Sequence, residues 1–112
     1  RRQRQMCIRD RHLKAQAVPY HEEAYEMADM GFIPAGAYRN RDFAEAGVRV
    51  VGAVARALQD IFYDPQTSGG LLCAVPAAEA EACLAELRTV APGTRIIGYV
   101  TEKLDSAIYL EA

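Results

Sequence analysis

A chain of 112 residues that is 51% apolar and 25% charged has the composition of one globular domain or part of one, which excludes a disordered chain. No apolar run approaches the roughly 18–20 residues of a membrane span, and the basic start is not followed by the apolar stretch of a signal peptide. The net charge of −2 is divided unevenly: residues 1–12, "RRQRQMCIRDRH", carry +4 and residues 13–112 carry −6.

The basic start has three readings. "RQMCIRDR" resembles translated sequencing-adapter sequence, which would make residues 1–12 an extension with no selected role. A frayed, solvated terminus comes second. A nucleic-acid arm comes last, because the segment has no aromatic residue for stacking and joins an acidic body. Neither nucleic acid nor a membrane is therefore expected as a partner. The three cysteines, Cys7, Cys73 and Cys83, fit neither a disulfide framework nor a zinc spacing. Cys73 and Cys83 sit among apolar residues and read as buried, reduced thiols, which points to a cytoplasmic setting.

From Leu13 the elements follow in order. "LKAQAVP" (13–19) alternates as a half-buried strand stopped by Pro19. "YHEEAYEMADMG" (20–31) is helical, with Glu22, Glu23, Glu26 and Asp29 on one face, Ala24, Tyr25 and Ala28 on the other, and Gly31 as the C-cap. Residues 31–47 read as a long irregular segment, uncommon unless it has a task. "VRVVGAV" (48–54) is a strand and "ARALQDIF" (55–62) a short helix. "LLCAV" (71–75) has the continuous apolar character of a strand buried on both faces.

Residues 76–93 make the clearest helix, opened by Pro76, striped by Ala80, Cys83, Leu84, Leu87 and Val90, and closed by Pro92-Gly93. "TRIIGYV" (94–100) and "SAIYLE" (106–111) read as an antiparallel hairpin. The sum is a layered α/β (α+β) domain with a mixed β-sheet and about three helices.

Two polar segments carry possible chemistry. In "DPQTSGG", Asp64 precedes a proline and favours an Asx-type turn. Gly69 and Gly70 can take positive φ, so successive N–H groups could converge on an anion, with Thr67 and Ser68 adding hydroxyls. Against this, no Walker-type lysine is present, and a strand rather than a helix follows. On these grounds alone the turn is a structural feature first and an anion cradle second. In "GAYRNRDF", Arg39 and Arg41 flank Asn40 and could form a fork for phosphate or carboxylate, with Tyr38 and Phe43 as anchors. The plainer alternative is an exposed loop whose arginines pair with the acidic body. Asp and Glu residues are scattered, with no paired arrangement that suggests a metal site.

Taken together, "GFIPAGAYRNRDF", "DPQTSGGLL", a helix and "IIGYV" resemble the C-terminal part of selenophosphate synthetase (selenide, water dikinase), over about residues 13–112. This family lies in the wider superfamily of aminoimidazole ribonucleotide synthetase. The resemblance implies an incomplete C-terminal domain of that superfamily's fold, its first strand and helix lying upstream of Leu13. It implies a parent enzyme that makes selenophosphate, AMP and phosphate from ATP, selenide and water with magnesium. That enzyme is typically a homodimer through its N-terminal domain.

By the same resemblance Arg39 and Asn40 are candidate phosphate or product contacts. Asp64, Gln66, Thr67, Ser68, Gly69 and Gly70 form one wall of the cleft between domains. The family's reactive cysteine or selenocysteine, its lysine and its magnesium-holding aspartates have no counterpart here, and Cys7 lacks the family's surroundings. No catalytic and no metal-ligating residue is therefore expected in the chain. ATP and magnesium belong to the parent, neither bound by this segment alone, and the missing N-terminal domain is the expected partner. The alternatives are a stand-alone binding or dimerisation module, or a fragment of another ATP-dependent enzyme of the superfamily.

Overall fold

The computed structural model describes residues 9–112, so Cys7 and the first eight positions of the basic start lie outside the described residues. Four strands, β1 (Arg9–Lys14), β2 (Val48–Val51), β3 (Gly98–Glu102) and β4 (Ile108–Glu111), form one sheet in the order β2-β4-β1-β3. The β1–β4 and β2–β4 pairs are parallel and the β1–β3 pair is antiparallel. Four α-helices accompany them: α1 (Glu22–Asp29), α2 (Ala35–Ala44), α3 (Arg56–Phe62) and α4 (Ala80–Arg88). The mixed sheet and the α+β class agree with the sequence reading.

The core lies between one sheet face and α3. Ala15, Val54, Leu58 and Leu110 are buried there, with Leu13, Tyr25, Val48 and Phe62 packed around them. Leu58 projects from α3, and Leu13 and Leu110 are register partners on β1 and β4, so one helix covers the central strands. Both α1 and α2 rest on α3. That arrangement brings the segment after α3 close to both helices.

α1 forms as its pattern indicates. Glu22 and Glu23 occupy its first turn, where carboxylates favour the positive end of the helix dipole. Gly31, at φ +87°, ends it as a Schellman cap: its N–H donates to Ala28 O, and that of Phe32 donates to Met27 O.

Several features differ from the sequence reading. Residues 31–47 are not irregular, because α2 occupies 35–44 behind an N-cap at Pro34 and buries Ala37 completely. Helices therefore number four rather than three among the described residues. Phe43 is 91% exposed and anchors nothing. The run 71–75 is no strand and is not buried: it finds no partner strand among the described residues, and Leu71 is 95% exposed. Cys73 is exposed with it and Cys83 is half-buried, so neither is a fully buried thiol. The final two strands form no hairpin, because β1 inserts between them and takes the hydrogen bonds of both.

β1 also starts earlier than expected, at Arg9 rather than Leu13. Residues 9–12 thus belong to the sheet instead of an extension. Their alternation is the reason: Asp10 and His12 are buried on one face while Leu13 joins the core on the other. Past Lys14 the chain turns into a short 3-10 helix, Ala15–Ala17.

The sheet face away from α3 is polar and ordered. His12 is stacked between Tyr99 of β3 and Tyr109 of β4, each ring centroid 4.6 Å away. Its Nδ1 lies 2.8 Å from Glu111 Oε1, and Tyr99 Oη donates to the same oxygen over 2.9 Å. These bonds hold the Glu111 carboxyl below its ordinary value, the His12 contact being the larger cause and the Tyr99 hydroxyl the next. A depressed folded value adds stability above the unfolded carboxyl's titration and loses it as pH falls through the folded value. Urea midpoints of the wild-type chain are accordingly expected to fall on acidification through the carboxylate range. A Glu111→Gln chain should show a shallower fall, and parallel curves for the two proteins would contradict the assignment.

Candidate groove beside the DPQTSGG loop

The loop that follows α3 borders an open groove of about 990 Å³. One wall is Asp64, Gln66, Thr67, Ser68, Gly69 and Gly70. The rest of the lining is mostly apolar, with Ala24, Met27 and Ala28 of α1, then Phe32, Ile33 and Pro34, and with Tyr20 and His21 just before α1 among its polar members. Its volume is at the upper end of small-molecule sites. The polar wall offers two hydroxyls, one amide and backbone groups, with the Asp64 carboxyl beside them. Such a groove can seat a flat apolar group against α1 and donate hydrogen bonds from the loop. It supplies no Lys or Arg among its lining residues, so an anionic ligand would need cations from elsewhere.

Two packing contacts fix the base of the loop. Pro65 lies over Gly36 of α2, so closely that a Cβ at position 36 would stand 2.7 Å from Pro65 Cγ. This explains a glycine inside a helix, where it costs about 1 kcal/mol relative to alanine. Beside it, Asn40 Nδ2 donates to Tyr63 O over 2.8 Å. Tyr63 is the C-cap of α3, and its carbonyl is one that the helix itself leaves without a partner. Burial pushes the Tyr63 phenol up, helped by Glu45 and opposed by Arg41.

A buried ionic contact ties the two helices together. Asp60 of α3 is 6% exposed and pairs with Arg41 of α2, and its Oδ1 also lies 3.4 Å from Arg56 Nε. Arg41 crosses the Tyr38 ring at 5.0 Å from its centroid. The Arg41 Nε is buried without a hydrogen-bond acceptor.

The residues singled out in the sequence therefore divide. Asp64, Gln66, Thr67, Ser68, Gly69 and Gly70 come together on one wall. Asn40 stands in a second, smaller hollow of about 320 Å³ that also touches Tyr63 and Asp64. Arg39 is exposed and lines neither hollow. The glycine pair does not form the positive-φ cradle imagined for it, since only Gly31 and Gly52 have positive φ among the described residues. A Cβ at Gly69 would meet Gln66 Oε1 at 2.8 Å, the tip of an exposed side chain that can swing aside. Sequence reasoning missed Asp60 and the apolar α1 wall. The i,i+4 spacing of Arg56 and Asp60 was the available signal for the first. Among the described residues no group of three or more His, Cys, Asp or Glu side chains could hold a metal ion. Asp60 is already engaged by two arginines, so no step is assigned to a metal on this segment.

Sequence comparison supplies the relatives. The chain is 47% identical over 95 residues to the selenide, water dikinase of Pelobacter propionicus, covering 84% of this chain and 27% of that protein. It is 46% identical over 92 residues to the Clostridioides difficile selenide, water dikinase, covering 81% and 26%. A third, from Clostridium botulinum strain Eklund 17B, is 37% identical over 97 residues, covering 87% and 28%. The chain belongs to the selenide, water dikinase family. It spans about a quarter of the length of the selenide, water dikinases it matches. No protein-family profile matches the chain. No helix among the described residues is long and apolar enough to cross a membrane.

Proposed function

We propose that this segment is the C-terminal part of a selenide, water dikinase and that its groove is one wall of the cleft where ATP is used. The whole protein would convert ATP, selenide and water to selenophosphate, AMP and phosphate with magnesium, as a homodimer. The domain would be part of an aminoimidazole ribonucleotide synthetase-like fold. The observation that carries this reading is the convergence of the DPQTSGG loop and the apolar face of α1 on one groove. Its chemistry explains a division of labour. Phosphoryl transfer depends on cations and metal placed around the phosphates, and the groove lining has hydroxyls and an amide but no Lys or Arg. The nucleophile, the lysine and the metal-holding carboxylates would come from the upstream domain. This wall would position and shield the substrate, and the segment alone would be inactive.

A chimera tests the reading. The matching quarter of the Pelobacter propionicus selenide, water dikinase is replaced by residues 9–112, and selenide-dependent conversion of ATP to AMP is followed. Activity within about tenfold of the parent is expected, with none from residues 9–112 alone. A folded but inactive chimera, or turnover by the segment alone, would contradict the proposal.

A further inference from the structure

The geometry points to Asn40 and Gly36 as positioning residues that brace the groove loop from behind, not as groups that touch a ligand. The inference rests on the reading of the loop as a ligand wall. Gly36 and Asn40 are four residues apart on α2 and so share one helix face. That face meets the loop at two successive points. Asn40 spends an amide hydrogen on Tyr63 O, the last carbonyl before the loop begins. Gly36 accepts the ring of Pro65, the loop's second residue, at a distance no larger side chain would permit.

Neither residue lines the large groove, whereas Asp64, between the two points, lines both that groove and the hollow beside Asn40. α2 is itself held to α3 by the Arg41–Asp60 pair, so the brace has a fixed base. The consequence is a short lever. Moving Tyr63 O or Pro65 displaces Asp64 and then Gln66 to Gly70. The bond to Tyr63 O takes one Nδ2 hydrogen and holds the amide at the end of α3, where it lines the smaller hollow and not the large groove.

Hydrogen exchange on the full chain, without ligand, reads the brace directly. Asn40→Ala and the isosteric Asn40→Asp, which cannot donate to a carbonyl, should both speed exchange over residues 63–70 by roughly five- to tenfold. Strands β1, β3 and β4 should be unchanged. Gly36→Ala should speed exchange over the same residues. In the active chimera Asn40→Asp should raise the KM for ATP about fivefold with kcat within about twofold, the signature of a displaced binding wall. Unchanged exchange at 63–70 in both Asn40 variants overturns the inference, and with lost ATP use it makes Asn40 a ligand contact. Uniform acceleration across the whole chain, or an unchanged KM, overturns it as well. An inactive wild-type chimera would sink the functional proposal while leaving the exchange result to stand.

Discussion

Gly98→Ala is expected to destabilise the protein by at least about 3 kcal/mol, a large part of the roughly 5–15 kcal/mol that holds a domain together. Gly98 is the register partner of Leu13, where antiparallel β3 meets the central strand. A Cβ at this position would fall on the carbonyl oxygen of His12, with His12 C at 2.9 Å and Leu13 Cα at 3.1 Å. All three are backbone atoms, so no rotamer change can make room. β3 would have to leave β1, which breaks the pairing from Arg9–Glu102 to Leu13–Gly98 and removes Tyr99 from the His12 ring. Chemical denaturation measures the loss, and Gly93→Ala is the control. Nothing lies within 4 Å of a Cβ at Gly93, so its midpoint should stay within about 0.5 kcal/mol of wild type. Equal midpoints for the two variants would mean that the β1–β3 register is wrong.

Asp60→Ala should cost about 3–5 kcal/mol, the range for removing one partner of a buried ion pair. The carboxylate is buried, and the Arg41 side chain is 14% exposed with its Nε already lacking an acceptor. Removing Asp60 leaves that guanidinium in the protein against the Tyr38 ring, with Tyr63 and Glu45 nearby. Arg56, whose side chain is 62% exposed, can return to water and adds little to the loss. The double variant Asp60→Leu with Arg41→Met should recover much of the stability, since an apolar pair of similar volume escapes the desolvation cost of both charges. A denaturant series over the single and double variants gives the coupling energy. Additive losses would show that the two side chains do not act as a pair.

The sequence was readable wherever a local signal sufficed. α1 announced itself through its acidic first turn and Gly31, and α3 through the spacing of Leu58, Ile61 and Phe62. α2 was hidden because Gly36 and a polar composition look like loop. The glycine is there for Pro65, a contact that no local pattern contains. Residues 71–75 looked like a buried strand because an apolar run signals burial without naming what covers it, and no strand among the described residues does so. The expected hairpin failed for a related reason. Nearness in sequence favours pairing, but β1, some ninety residues away, fits between β3 and β4 and bonds to both.

The groove was legible in part. "DPQTSGG" pointed to itself by its composition and its family resemblance, and its residues do line one wall. The opposing α1 face was visible only as the apolar side of a helix. The role of Asn40 lay beyond the sequence altogether, because an amide can meet a ligand or a neighbouring carbonyl with equal chemistry. The 2.8 Å approach to Tyr63 O shows that the carbonyl contact is made.

The most direct measurement is the hydrogen-exchange footprint of ATP and magnesium on the chimera that carries residues 9–112. Slower exchange over residues 64–70 together with the facing stretch of α1 and residues 32–34 is the predicted result. Nucleotide-dependent protection confined to the upstream domain, with the DPQTSGG loop exchanging as it does without ligand, would contradict the assignment of this groove as a wall of the cleft.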